Sequence, residues 1–242
     1  MVMPLLQNVV WVLFIALGVR LVVVGVRENS VAERWLGVAL VLSGPGAGLL
    51  RYGVQTQTPY LTTLGIAMIS LGGSCTLVFA YLVFRPGEVW ARYLLAALIG
   101  SYAVGFWHQV EVVGIWGGSS GRPSFVLLAA RAVGLGWCAY ESLRYRRMYV
   151  KRLALGLADP VIANRFLLYA IWTGALAALP AFVGVVAAIY TDTETWRAAF
   201  LLPTRIVGVV VFVSMVLIFV PPKVYTDLIE RRYERRTAGA AP

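Results

Sequence analysis

His108 is the only histidine in the chain, and it lies three residues ahead of Glu111 in the largely apolar run Gly105-Phe106-Trp107-His108-Gln109-Val110-Glu111-Val112-Val113-Gly114. On an α-helix, residues at i and i+3 share a face, so this run offers an imidazole and a carboxylate together. Three other apolar runs each contain an arginine: Arg51, Arg131 and Arg205. Ionisable groups at membrane depth are costly, usually face the protein interior, and mark working sites. Three arginines against one glutamate leave an excess of two positive charges when His108 is neutral. A low-dielectric interior does not tolerate that excess unless lipid, water or an anion relieves it. The guanidinium is also the side chain best shaped for bidentate capture of a carboxylate or phosphate. The residues therefore point to an outward-facing pocket for a small anionic or amphipathic ligand. Arg51, Arg131 and Arg205 would clamp it, Tyr52 and Trp107 would wall it, and Glu111 would orient an arginine or His108. A structural reading competes: the arginines snorkel to headgroups, and Glu111 neutralises one neighbour.

The elements that must position these groups are transmembrane helices. Of 242 residues, 60% are hydrophobic and only 13% charged, against about 25% charged in an average soluble domain. A spanning helix needs about 20 mostly apolar residues. Seven stretches qualify: Leu5 to Val26, Trp35 to Gln55, Tyr60 to Phe84, Ala91 to Ile115, Ser124 to Tyr145, Phe166 to Tyr190 and Ala198 to Val220. The expected fold is an all-α seven-helix bundle over residues 1–221, followed by a short tail over 222–242. Met1-Val2-Met3-Pro4 leads directly into the first apolar stretch without a basic region or cleavage site, so that stretch is expected to be retained.

The net charge of +10 is read through its placement. One set of loops and segment ends holds fifteen basic residues: Arg27, Arg34, Arg85, Arg92, Arg144, Arg146, Arg147, Lys151, Arg152, Arg165, Lys223, Arg231, Arg232, Arg235 and Arg236. The opposite set holds Arg122 and Arg197. By the positive-inside rule, the N-terminus is outside and the C-terminus cytoplasmic, in the inner membrane of a prokaryote whose arginine-rich composition suggests a GC-rich genome. Contact with anionic lipid accounts for the charge without a nucleic-acid partner. The basic loop Arg144 to Arg152 is a lipid anchor or a docking surface for a cytoplasmic partner. In the tail, Val224, Tyr225, Leu228, Ile229 and Tyr233 form an apolar stripe opposite arginines, as in an interfacial helix. Trp35, Tyr60, Trp90, Trp116, Tyr190 and Trp196 sit at segment boundaries, as belt aromatics do.

Small residues mark the second and third segments. In Ser43-Gly44-Pro45-Gly46-Ala47-Gly48 a proline removes one helical hydrogen bond and bends the helix, making Pro45 a candidate hinge. Glycines spaced four apart let another backbone approach closely. Ser70-Leu71-Gly72-Gly73-Ser74-Cys75-Thr76 forms a similar seam, whose hydroxyls are expected to bond their own helix. Cys75 and Cys138 are expected to be unpaired core thiols.

The layout resembles that of the rhodopsin-like seven-helix receptors in topology. Retinal is not expected, because the seventh segment has no lysine for a Schiff base and Lys223 lies beyond its end. Haem is not expected with His108 as its single histidine ligand, nor is a metal site, nor a serine hydrolase, which needs a serine activated beside a histidine. Three functions remain. The first is a non-enzymatic sensor or binding protein for a small anionic or amphipathic ligand. The second is an accessory subunit of a larger membrane complex, with the small-residue seams facing other subunits. The third is an anion transporter or channel, against which an odd helix count speaks if it were built from two inverted repeats.

Overall fold

The computed structural model describes residues 2–112, 124–153, 155, 157–189 and 193–238, with side chains described over 11–111, 124–153, 155, 157–189, 203–229 and 231–233. Eight α-helices account for nearly all of them: α1 (Val2–Arg27), α2 (Val31–Gln55), α3 (Pro59–Phe84), α4 (Val89–Trp107), α5 (Phe125–Leu153), α6 (Pro160–Ile189), α7 (Thr193–Phe219) and α8 (Lys223–Ala238). A π-helical segment, His108–Val112, continues α4, and no strand occurs among the described residues. Three stretches are long and apolar enough to cross a membrane by length and composition: Pro59–Phe84, Val89–Glu111 and Pro160–Ile189. The chain is a membrane protein. Val113 and Gly114, the span end at Ile115, and Trp116, Arg122 and Tyr190 lie outside the described residues, as do the side chains of Trp196, Arg197, Arg235 and Arg236.

Local chemistry sets the helix limits. Pro59 and Pro160 occupy first-turn positions, where a missing N–H costs nothing. Asp159 Oδ1 accepts the Val161 N–H at 2.6 Å, so α6 begins with a side-chain cap. Asn29 and Gln57 turn the chain between helices with φ of 54° and 51°. Arg34 fastens the α1–α2 turn by donating to the Gly25 carbonyl at 2.9 Å and to Asn29 Oδ1 at 2.8 Å. The expectation of a long basic loop after Tyr145 is corrected: Arg144 to Arg152 is helical, and α5 ends at Leu153. Arginine, methionine, lysine and leucine are good helix formers, and the charged stretch contains no glycine or proline to stop it.

Consecutive helices pack as neighbours from α1 through α3 and from α5 through α7, with α3 also touching α4 and α5. The small-residue seams are used inside the chain. A Cβ on Gly18 would lie 2.7 Å from the Gly37 carbonyl oxygen, and one on Gly37 would lie 2.6 Å from that of Gly18, so α1 and α2 touch backbone to backbone. Gly44 faces Phe14 of α1, Gly46 faces Met68 of α3, and Gly65 lies against the Leu50 backbone. α2 continues through Pro45 as one helix. Ser70, Ser74 and Thr76 donate to carbonyls four residues back, at 2.8, 3.0 and 3.0 Å, as their sequence context predicts. Both cysteines are free and buried.

Replacing Gly65 with Ala must part α2 from α3, because the obstacle is backbone; overpacking of this kind costs about 1–3 kcal/mol. Gly100 has open space around its Cβ position, so Gly100→Ala is expected to gain about 0.5–1 kcal/mol from helix propensity. Thermal unfolding of the two variants in detergent should therefore move in opposite directions.

Candidate functional site

Two polar centres lie along α5. At its middle, Glu141 is 1% exposed and both carboxylate oxygens are engaged. Arg85, just past α3, donates from Nε to Glu141 Oε1 at 3.0 Å, while Nη2 lies 2.9 Å from the same oxygen. Arg144 Nη1 lies 3.4 Å from Oε2. The remaining edge of the Arg85 guanidinium holds Glu88, with Nη1 at 2.9 and 3.1 Å from its two oxygens. Trp90 Nε1 donates to Glu88, and its ring lies under the Arg85 guanidinium with 4.9 Å from Cζ to the ring centroid. Burial works against the Arg85 charge, but hydrogen bonds and attraction from Glu141 and Glu88 outweigh it and hold its pKa above the ordinary value. The Arg85 hydrogen bond is the main cause that holds Glu88 below its ordinary 4.5. Sequence reading assigned Arg85 to topology and passed over Glu88 and Glu141. The available signal was Glu141 itself, an acid in the apolar run Cys138-Ala139-Tyr140-Glu141-Ser142-Leu143.

At the Phe125 end, the π segment meets the start of α5. Gly105 allows the approach, since a Cβ there would sit 2.7 Å from Leu127 Cα. Ser124 is 1% exposed and caps α5: its Oγ accepts the Leu127 N–H at 3.3 Å, and its own N–H donates to Gln109 Oε1 at 2.6 Å. His108 Nδ1 lies 3.0 Å from the same Oγ. This is a serine–histidine contact, but the hydroxyl is occupied in capping and no carboxylate bonds the imidazole among the described residues. The arrangement joins α4 to α5. Pairing of His108 with Glu111 on one face presumed α-helical spacing. The π segment has a wider, i to i+5 turn, and Glu111 is exposed on it.

Two turns into α5 stands Arg131. Nη2 donates to Ser70 Oγ at 2.9 Å and to the Ile66 carbonyl at 3.4 Å; Ser70 Oγ in turn donates to that same carbonyl at 2.8 Å. Arg131 Nε is buried without a partner, and no ion pair reaches Arg131 among the described residues. Tyr102 of α4 stands nearby. It is 2% exposed, its hydroxyl also lacks a partner, and that oxygen lies 3.1 Å from the Cβ position of Gly134, one turn beyond Arg131. Gly73 on α3, one turn beyond Ser70, makes room for the Tyr102 ring, which a Cβ there would meet at 2.6 Å. Tyr102 went unnoticed in the sequence because aromatic residues in apolar helices are common.

The other expected site residues are not joined to this centre. Arg51 is half-buried on α2, Arg205 is exposed on α7, and Tyr52 and Trp107 are each 58% exposed. The side chains of Arg51, Tyr52, Trp107, Glu111 and Arg205 form no hydrogen bond, ion pair or ring contact among the described residues. An open apolar groove of about 600 Å3 runs along α3 beside the π segment, lined by Pro59, Tyr60, Thr63, Leu64, Ala67 and Val110. The groove runs along α3 from Pro59 and ends at Ala67, next to Ile66. No group of three His, Cys, Asp or Glu residues suited to a metal occurs among the described residues. The sequence matches no family model, and no curated protein or solved structure matches it either.

Removing the Glu141 carboxylate leaves Arg85 with Glu88 alone and takes a buried carboxylate out of α5, a loss of about 3 kcal/mol, the low end for breaking a buried pair from one side. Glu141→Ala is expected to lower the unfolding temperature far more than Glu88→Gln. Glu88 also sets an acid limb. Its folded pKa is depressed, so its contribution is complete above the ordinary 4.5 and is lost as pH falls through the folded value. Unfolding temperatures measured from neutral pH downward should converge for wild type and Glu88→Gln at the acid end.

Proposed function

We propose that the chain is a seven-helix membrane protein, N-terminus outside and C-terminus cytoplasmic, that binds a small anionic or amphipathic ligand at Arg131 and does no covalent chemistry on it. The observation that carries this reading is the state of Arg131. Its charge faces neutral oxygens, and among the described residues neither its Nε nor the Tyr102 hydroxyl has a partner. A buried cation left this way is strongly disfavoured, and an anion supplying acceptors to Nε and to the hydroxyl would satisfy both groups. The apolar groove that ends at Ala67, next to Ile66, suits the hydrocarbon part of an amphipathic molecule. α1, α2, α5 and α7 have 26, 25, 29 and 27 residues, each enough to span the bilayer. Together with α3, α4 and α6 they supply seven spans. Arg51 and Arg205 are then arginines of the membrane border, and Arg131 is the clamp.

The accessory-subunit reading relied on small-residue seams turned toward other subunits. Those seams are filled by α1, α2 and α3 themselves, which leaves the binding reading the better supported. Native mass spectrometry of the gently solubilised protein is the test, with wild type compared to Arg131→Gln and Tyr102→Phe. Wild type should carry a small anionic adduct that Arg131→Gln loses. Tyr102→Phe should weaken retention by about tenfold, the worth of one hydrogen bond to a charged group. Identical spectra for all three, or other protein subunits in place of a small molecule, would overturn the reading.

A further inference from the structure

The far end of the molecule from Arg131 carries a second, independent surface. α5 has 29 residues, about 43 Å at 1.5 Å per residue, whereas a bilayer core is about 30 Å thick. Its last turns therefore project beyond the hydrocarbon, and there Arg147, Lys151 and Arg152 are exposed. The chain then folds back tightly, with the N–H groups of Leu155 and Leu157 both bonded to the Arg152 carbonyl at 3.1 and 3.0 Å. This turn leaves the two leucines 72% and 73% exposed. Arg165 is exposed on the first turns of α6.

α8 brings a matching set to the same place. It bends 82° away from α7 after Pro221-Pro222, and Asn164 Nδ2 donates to the Tyr225 hydroxyl, which seats α8 at the foot of α6. Tyr225 and buried Ile229, four residues apart, form its inward stripe. Val224 and Leu228, also four apart, form an outward one, 73% and 62% exposed. Lys223, Arg231 and Arg232 are exposed beside them. On α5, α6, α8 and the turn between α5 and α6, seven exposed cations thus stand against two exposed acids, Asp159 and Asp227, among the described side chains. Asp159 is already occupied in capping α6.

We infer that this end of the molecule is a binding surface for anionic phospholipid. The guanidinium and ammonium groups of α5, α6 and α8 take headgroup phosphates, and Leu155, Leu157, Val224 and Leu228 enter the acyl boundary. The interleaving of apolar side chains decides the partner. A soluble polyanion would satisfy the cations but leave four large apolar side chains in water, while an anionic leaflet satisfies both at once.

The test uses the full chain in nanodiscs of equimolar phosphatidylglycerol and phosphatidylcholine, released for native mass spectrometry. Wild type should retain phosphatidylglycerol preferentially. Each exposed cation removed should cut that preference about fivefold, so that Lys223→Gln/Arg231→Gln/Arg232→Gln loses about a hundredfold. Arg147→Gln/Lys151→Gln, on residues without intramolecular partners among the described residues, gives the same trend should the triple variant not fold. Leu155→Ser/Leu157→Ser should reduce retention of both lipids. Equal retention of the two lipids by wild type, or a preference unchanged in both charge variants, overturns the proposal. A charge effect without a leucine effect would replace the lipid with a soluble polyanion. Arg131→Gln should leave the lipid preference intact, so failure here and failure of the ligand reading are separate results.

Discussion

A carboxylate with almost no exposed surface must be neutralised in place, and the burial of Glu141 fixes the geometry of everything around it. Arg85 can reach Glu141 only if α3 ends where it does, at Phe84. The other edge of its guanidinium then captures Glu88, and with it the turn into α4. The aromatic layer just inside continues the same constraint. Tyr145 donates to the Phe84 carbonyl at 3.0 Å, its ring lies 4.9 Å from that of Phe84, and Ser142 donates to the Phe166 carbonyl at 2.7 Å. The ends of α3, α5 and α6 are thereby held in register by directional bonds, which nondirectional packing against lipid-like side chains could not achieve.

Arg131 is the counterexample within the same helix. Arg85 has two carboxylates; Arg131 has a serine hydroxyl and a backbone carbonyl that the serine already uses. Both arginines are bound, but among the described residues only Arg85 meets an acid. On the binding reading proposed above, the charge of Arg131 is left to lipid, water or ligand, and that distinction would separate a structural centre from a binding centre.

The helical architecture was legible because long apolar stretches leave a membrane chain few alternatives to helix. Hydroxyl back-bonding in α3 and an amphipathic α8 followed from the same local rules. The site was legible only in part. Arg131 stood out as a charge in an apolar run, but a one-dimensional depth assignment cannot say which way a helix faces. Arg51, Arg205, Tyr52 and Trp107 therefore looked equivalent to it. The His108–Glu111 pairing presumed α-helical spacing, and a π turn can be read neither from composition nor from period. Glu141 is visible as an acid in an apolar run, but nothing in its own segment names the arginine that neutralises it. Its partner, Arg85, was already explained as a topology charge, although one residue can serve both purposes.

The two ends of the molecule also respond to different physics. At the Ser124 end, polar groups are few, buried and tied by short bonds among His108, Gln109 and Ser124, so the start of α5 moves with the π segment. At the other end, the charges are many and half of the design is outward, with α8 seated through Tyr225 and Ile229 and with Val224 and Leu228 exposed. α5 is the one helix that reaches both ends, holding Arg131 on its second turn and Glu141 at its middle. Because Glu141 ties the middle of α5 to Arg85, between α3 and α4, a rearrangement around Arg131 would be confined to the turns before it. The remaining freedom is rotation or bending of its first turns, where Gly134 and Gly136 fall. A ligand that completes Arg131 would therefore act first on the contact between α3, α4 and the early turns of α5, around Ser70, Tyr102 and Gly73.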